Sequence, residues 1–167
     1  MRRRPDPAGK IAIARTFANG APATVSSFTV DATTGALSEV SGSPLPAGSV
    51  QTFPAISPSV KYAYVANQAN QGGNNFVSNI FGFSIDSATG ALTALPSGPF
   101  MAGSWPQSLV ADPSGKFLYL LSSPPSSPST ITAYAIDDAT GDLTAVNSVQ
   151  IPLGPQNTVT LAMALSP

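Results

Sequence analysis

Asp137, Asp138 and Asp142 form the densest carboxylate group in the chain, and a hard cation such as calcium binds oxygen clusters of this kind. Two related segments carry one Asp each, Asp31 and Asp86, at a spacing that turn chemistry explains without a metal. Asp112, before Pro113, reads as a turn-former too, because Ser57 and Ser166 replace it in the other copies. Trp105 is the single tryptophan, in a loop entering a strand, where its ring can stack on a sugar or a peptide or pack between sheets; Val50 holds the same place one repeat earlier, which favours packing. Ser and Thr abound, yet a nucleophilic Ser needs a base, and no His or credible Lys accompanies any of them. Gly72-Gly73 lacks the strand-to-helix context and the Lys of a phosphate cradle. The residues therefore assign no catalytic set, no cofactor site and no metal site.

Composition narrows the chemistry further. There is no His among 167 residues, which removes the commonest general base and metal ligand, and no Cys, which excludes disulfides and thiol chemistry. Charged residues are only 9%, against roughly 25% in an ordinary globular domain. Five of the seven basic residues, Arg2, Arg3, Arg4, Lys10 and Arg15, precede position 16, so the remainder carries a mild negative excess and offers no nucleic-acid surface. Mean hydropathy is +0.16, but no apolar run reaches the length of a membrane helix, so no membrane insertion is expected. Pro5-Asp6-Pro7 follows the arginines where a signal peptide would turn apolar, so no export signal is visible. Low charge with abundant Ser, Thr, Ala, Gly and Pro is the composition of exported β-rich proteins, and an extracytoplasmic place is expected.

The elements that position these residues follow from a repeat. Asp31-Ala-Thr-Thr-Gly35-Ala-Leu37 recurs as Asp86-Ser-Ala-Thr-Gly90-Ala-Leu92 and as Asp137-Asp-Ala-Thr-Gly141-Asp-Leu143, at spacings of 55 and 51 residues. Asp6-Pro7-Ala-Gly-Lys10 recurs as Ser57-Pro58-Ser-Val-Lys61 and Asp112-Pro113-Ser-Gly-Lys116, and Ser166-Pro167 opens a further copy. A third marker, Gly48, Gly103 and Gly154, falls 13 residues after each repeat glycine. Three landmarks in one phase define repeats of about 7–57, 58–112 and 113–167 within one domain, 1–167.

Phe28 and Val30, Phe83 and Ile85, and Tyr134 and Ile136 alternate at period two before each Asp turn, as half-buried strands do. The Asp bonds the backbone two residues on and the Gly supplies a positive φ, giving a tight hairpin. Tyr62–Ala66 and Phe117–Leu121 are continuously apolar and read as strands buried on both faces. Leu109–Ala111 and Leu161–Leu165 read as short inner strands, while Gln68–Asn75 and Ser122–Ser129 read as surface loops. The fold class is all-β: three four-stranded antiparallel β-propeller blades in an incomplete ring.

Lys116-Phe-Leu-Tyr-Leu, Tyr64-Val-Ala-Asn67 and Phe83-Ser-Ile-Asp-x-x-Thr-Gly90-Ala-Leu-Thr93 resemble the repeats of the lactonase-type seven-bladed β-propellers, the group with bacterial 6-phosphogluconolactonase and the YVTN-repeat surface proteins. The resemblance runs from about residue 6 to 167. It implies a seven-bladed ring, of which three blades are here, and lactonases that use His, Arg and Glu at the channel mouth. This chain has no His, Glu39 is its one Glu, and its Arg residues stand at 2, 3, 4 and 15, so no catalytic set transfers.

Three blades leave apolar faces and strand edges uncovered. A longer propeller of which this is a piece, a homodimer closing a six-bladed ring, or an open array shielded by neighbours would each cover them. Two functional classes follow: a non-catalytic binding or scaffold module, and a sugar-lactone hydrolase whose catalytic residues sit on blades not present here.

Overall fold

The computed structural model describes residues 11–16, 22–48, 50–51, 54–70, 76–124 and 127–152. Period-two alternation fixes the local structure there: the described elements are all strands, in three antiparallel sheets that stand as successive blades. The third is complete, running β11 (Pro106–Ala111), β12 (Phe117–Ser122), β13 (Ser129–Ile136) and β14 (Leu143–Ile151) in chain order. In the second, β7 (Tyr62–Asn70) and β8 (Phe76–Ile85) form the centre. Its inner strand is split into β5 (Val50–Gln51) and β6 (Ala55–Ile56), both on β7, and its outer strand into β9 (Leu92–Ala94) and β10 (Phe100–Met101), both on β8. The first blade shows its second, third and outer strands: β1 (Ile11–Thr16), β2 (Thr24–Val30), and β3 (Leu37–Glu39) with β4 (Leu45–Pro46). The sheets form an open array. The inner strand read at Leu161–Leu165 lies outside the described residues, as do Gly154 and Gly72-Gly73.

Two expectations change. Gln68–Asn70 belong to β7 rather than a loop, because pairing with β8 continues to Asn70↔Phe76; Ser122 and Ser129 likewise end strands. Burial of the second strand on both faces holds for Tyr62–Ala66, all buried, but in β12 Phe117 and Tyr119 stay half-exposed. The reason is position: β7 has a blade on each side, and β12 has one on one side among the described residues.

The core lies between blades. Tyr62, Tyr64, Ala66 and Ile80 of the second blade pack with Leu109, Leu118, Leu120, Tyr134 and Leu143 of the third. Val25 and Ala47 of the first pack with Val65 and Phe83 of the second. At about 1.5–3 kcal/mol for each fully buried large apolar side chain, these two layers far outweigh any surface ion pair in holding the array together.

Candidate functional site

Each blade presents two ends of opposite character. At one end lie the Pro-x-x-Lys and Asp-x-x-Thr-Gly turns, and with them Lys61, Lys116 and every described Asp. Asp86 shows what the carboxylates do: its Oδ1 accepts the Ala88 and Thr89 amides at 3.0 and 2.8 Å and the Thr89 hydroxyl at 2.8 Å, while the Gly90 amide closes the turn on the Asp86 carbonyl. Asp31 repeats this with Thr33 and Thr34, and Asp137 accepts the Ala139 and Thr140 amides. The Thr89 hydroxyl and amide, followed by the Ala88 amide, hold the Asp86 carboxyl below the ordinary carboxylate range; for Asp137 the Thr140 amide leads, followed by that of Ala139. Gly35, Gly90 and Gly141 carry φ values of 72°, 77° and 78°, as the turn requires. Asp112 caps its own turn through the Ser114 amide and hydroxyl.

The Asp137, Asp138 and Asp142 group points its carboxylates to different partners. Asp138 pairs with Lys61 at 2.8 Å, and Asp142 accepts from the Ser97 hydroxyl. The bond to Asp138 holds the Lys61 ammonium charged, its pKa raised. The described residues contain no group of three metal-ligating side chains. What the turn does is join blades: the Tyr64 hydroxyl donates to the Gly141 carbonyl at 2.8 Å and the Tyr62 hydroxyl to the Asp138 carbonyl at 3.1 Å. A Cβ on Gly141 would stand 2.5 Å from the Tyr62 ring, so the glycine is demanded by this contact as well as by its φ. Burial pushes the Tyr64 phenol up and keeps it neutral, as a donor must be.

The other end is polar and, around the second and third blades, uncharged. The glycines of the third marker lie here because polar side chains fill the space of their missing Cβ atoms: the Asn67 amide at Gly48 and the Ser122 hydroxyl, 2.7 Å away, at Gly103. Around the segment 102–105 three buried polar atoms make no hydrogen bond: Gln68 Nε2, Ser78 Oγ and Ser122 Oγ. Gln68 and Ser78 are cross-strand partners, the Ser78 carbonyl accepts the Ala102 amide at 3.1 Å, and Ser122 lies against Gly103. An unsatisfied buried polar group costs about 1–3 kcal/mol, so three around one loop mark a place where a water or a ligand belongs.

Trp105 borders this place. Its carbonyl accepts the Ser123 amide at 2.9 Å, its side chain is half-buried and belongs to neither apolar core cluster, and its φ is +58°. A non-glycine residue held in the left-handed region occurs preferentially at binding sites. The sequence reading singled out Trp105 but missed Gln68, Ser78 and Ser122; a signal was available for Ser122 alone, the repeated glycine at 48 and 103, whose partners Asn67 and Ser122 sit 19 residues later. A cavity of about 160 Å³ between the first and second blades, bordered by Pro46, Phe83 and Leu95, has an almost wholly apolar lining and nothing to orient a polar ligand.

Against known proteins, the profile of the lactonase seven-bladed β-propeller family matches residues 19–160. No curated protein sequence matches the chain. Among solved structures, a candidate 6-phosphogluconolactonase of Bacteroides fragilis superposes with TM-score 0.64 at 23% identity, over 86% of this chain and 40% of that one. One of Bacteroides uniformis gives 0.69 at 24%, over 87% and 38%, and the periplasmic gluconolactonase of Pseudomonas aeruginosa gives 0.60 at 13%, over 88% and 40%. The chain spans no more than 40% of the length of these three structures.

Proposed function

Because the chain belongs to the lactonase family of seven-bladed β-propellers, we propose that it is a set of blades that binds a neutral, polyhydroxylated ligand at its Trp105 end without carrying out catalysis itself. The observation that carries this reading is the unpaired trio Gln68 Nε2, Ser78 Oγ and Ser122 Oγ, with Trp105 on the adjoining segment. Amide and hydroxyl groups match sugar hydroxyls, an aromatic face matches the C–H face of a sugar ring, and the absence of charge around these three atoms favours an uncharged ligand. Hydrolysis would need a positioned base, and Asp31, Asp86, Asp112 and Asp137 are engaged in turns at the far end, where Asp138 pairs with Lys61.

One observation favours a second reading, a sugar-lactone hydrolase completed by further blades: the solved structures that superpose on the chain include a gluconolactonase and candidate 6-phosphogluconolactonases. Here the amide of Gln68 and the two serine hydroxyls would hold the lactone while another blade supplied the base. The low charge and the periplasmic neighbour support a place outside the cytoplasm in either case.

Following D-glucono-δ-lactone by proton NMR with the purified chain separates the two. Line broadening that saturates, with ring opening at the buffer rate, is the expected result. Ring opening that rises with protein concentration and survives Ser122→Ala but not a carboxylate substitution would overturn the non-catalytic reading.

A further inference from the structure

The turn that interrupts the outer strand occurs in the first two blades, between β3 and β4 and between β9 and β10, and both copies have the same backbone bonds. In the first, the Val40 amide donates to the Ser27 carbonyl at 2.9 Å and the Ser43 amide to the Val40 carbonyl at 3.1 Å. In the second, 55 residues on, the Leu95 amide donates to the Gly82 carbonyl at 2.9 Å and the Gly98 amide to the Leu95 carbonyl at 3.2 Å. The side chains on this common frame differ. In the first blade the Ser43 hydroxyl accepts the Ser27 amide at 3.1 Å and stands 3.4 Å from the Ser27 hydroxyl, so polar atoms fill the space between turn and strand. In the second blade both serines are glycines, Gly82 and Gly98, and two neighbours change with them: Phe81 stands in the place of Ser26 and Ala94 in that of Glu39.

These four replacements open the apolar cavity of about 160 Å³, which Gly82 and Gly98 line together with Phe81, Phe83, Leu95 and Pro99. They also leave one donor without its partner. Backbone N–H and C=O of one strand residue point to the same side in an antiparallel sheet, and the Gly82 carbonyl takes the Leu95 amide, so the Gly82 N–H faces the turn. Gly98 has no hydroxyl to accept it, and no other described group does. Gly82 is buried, and a buried amide without an acceptor is rare in native structures.

We propose that this niche binds a small apolar molecule, of the size of one aromatic ring, that carries a single acceptor oxygen. The Phe81 and Phe83 rings with Leu95 and Pro99 receive the apolar body, and the oxygen takes the Gly82 amide, as the Ser43 hydroxyl takes that of Ser27. An apolar cavity of about 150 Å³ holds benzene, and one amide in an almost wholly apolar lining suits a guest with one polar atom rather than a polyhydroxylated one. The lining belongs to two stacked, described blades at their outer strands. The site is separate from the Trp105 end and stands whether or not that end binds a ligand.

The test is an amide-resolved NMR titration of the purified chain with acetophenone, and with toluene as a similar body without the oxygen. Acetophenone is expected to shift the Gly82 amide saturably, and toluene to bind about threefold or more weaker. Gly98→Ser and Ala94→Glu return the first blade's own residues to the niche. A Cβ at Gly98 meets nothing nearer than 3.5 Å and Ala94 is exposed, so neither strains the fold. Each is expected to weaken acetophenone binding about tenfold or more, while Ser122→Ala leaves it unchanged. No saturable shift at Gly82, or one that Gly98→Ser and Ala94→Glu both leave intact, would overturn the proposal. So would toluene bound as tightly as acetophenone, since the amide would then take no part.

Discussion

Val60 sits with φ +55° at the turn position where the third repeat has Gly115, φ +74°. A β-branched residue in the left-handed region costs about 1–2 kcal/mol, and Val60 recovers part of that through partial burial. Val60→Gly is therefore expected to raise stability by about 1 kcal/mol in urea unfolding, and Gly115→Val to lower it. Gly141→Ala is expected to cost more than Gly35→Ala in the same measurement, because only the first adds a clash with Tyr62 to the cost of the positive φ. The single-residue turn chemistry was legible in the sequence: Asp, Thr and Gly at fixed offsets name their own hydrogen bonds. The left-handed Val60 and Trp105 were not, since neither type announces a positive φ.

At the scale of the element, the Asp turns and the tyrosines they receive set the pH range of stability. Asp86 and Asp137 have folded pKa values below the unfolded value of about 3.9, so the native state binds fewer protons and their contribution is present above about pH 4 and lost as pH falls through the folded values. Burial raises Tyr64 and Tyr134 above about 10, and the bond to Asp138 raises Lys61, so their contribution is present below about pH 10 and lost as pH rises through the folded values. Urea midpoints are expected to be flat from about pH 5 to 9 and to fall on both sides. Tyr64→Phe is expected to cost about 1 kcal/mol at pH 7, because it leaves the Gly141 carbonyl without its donor. Strand order was legible from period-two patterning and the markers; the reach of β7 through Gln68–Asn70 was not, because polar residues in a hairpin read the same whether paired or looped.

For the whole molecule, the division of labour between the two blade ends decides function. The charged groups that a sequence reader weighs first, Asp137, Asp138 and Asp142, are spent on turn closure and blade contact. The neutral groups that carry the candidate site, Gln68, Ser78 and Ser122, lie on three different strands of two blades; hairpin register pairs Gln68 with Ser78, but no local pattern brings Ser122 to them. Only the tertiary stacking of repeats does so, which is why the fold could be read from the chain and this site could not. A lone tryptophan at that end makes the claim directly measurable. Titrating Trp105 fluorescence with D-glucono-δ-lactone, and with D-gluconate as the charged comparison, is expected to give a saturable change for the neutral lactone that Ser122→Ala or Gln68→Leu weakens. An unchanged spectrum for the lactone, or a response to gluconate alone that these substitutions leave intact, would contradict it.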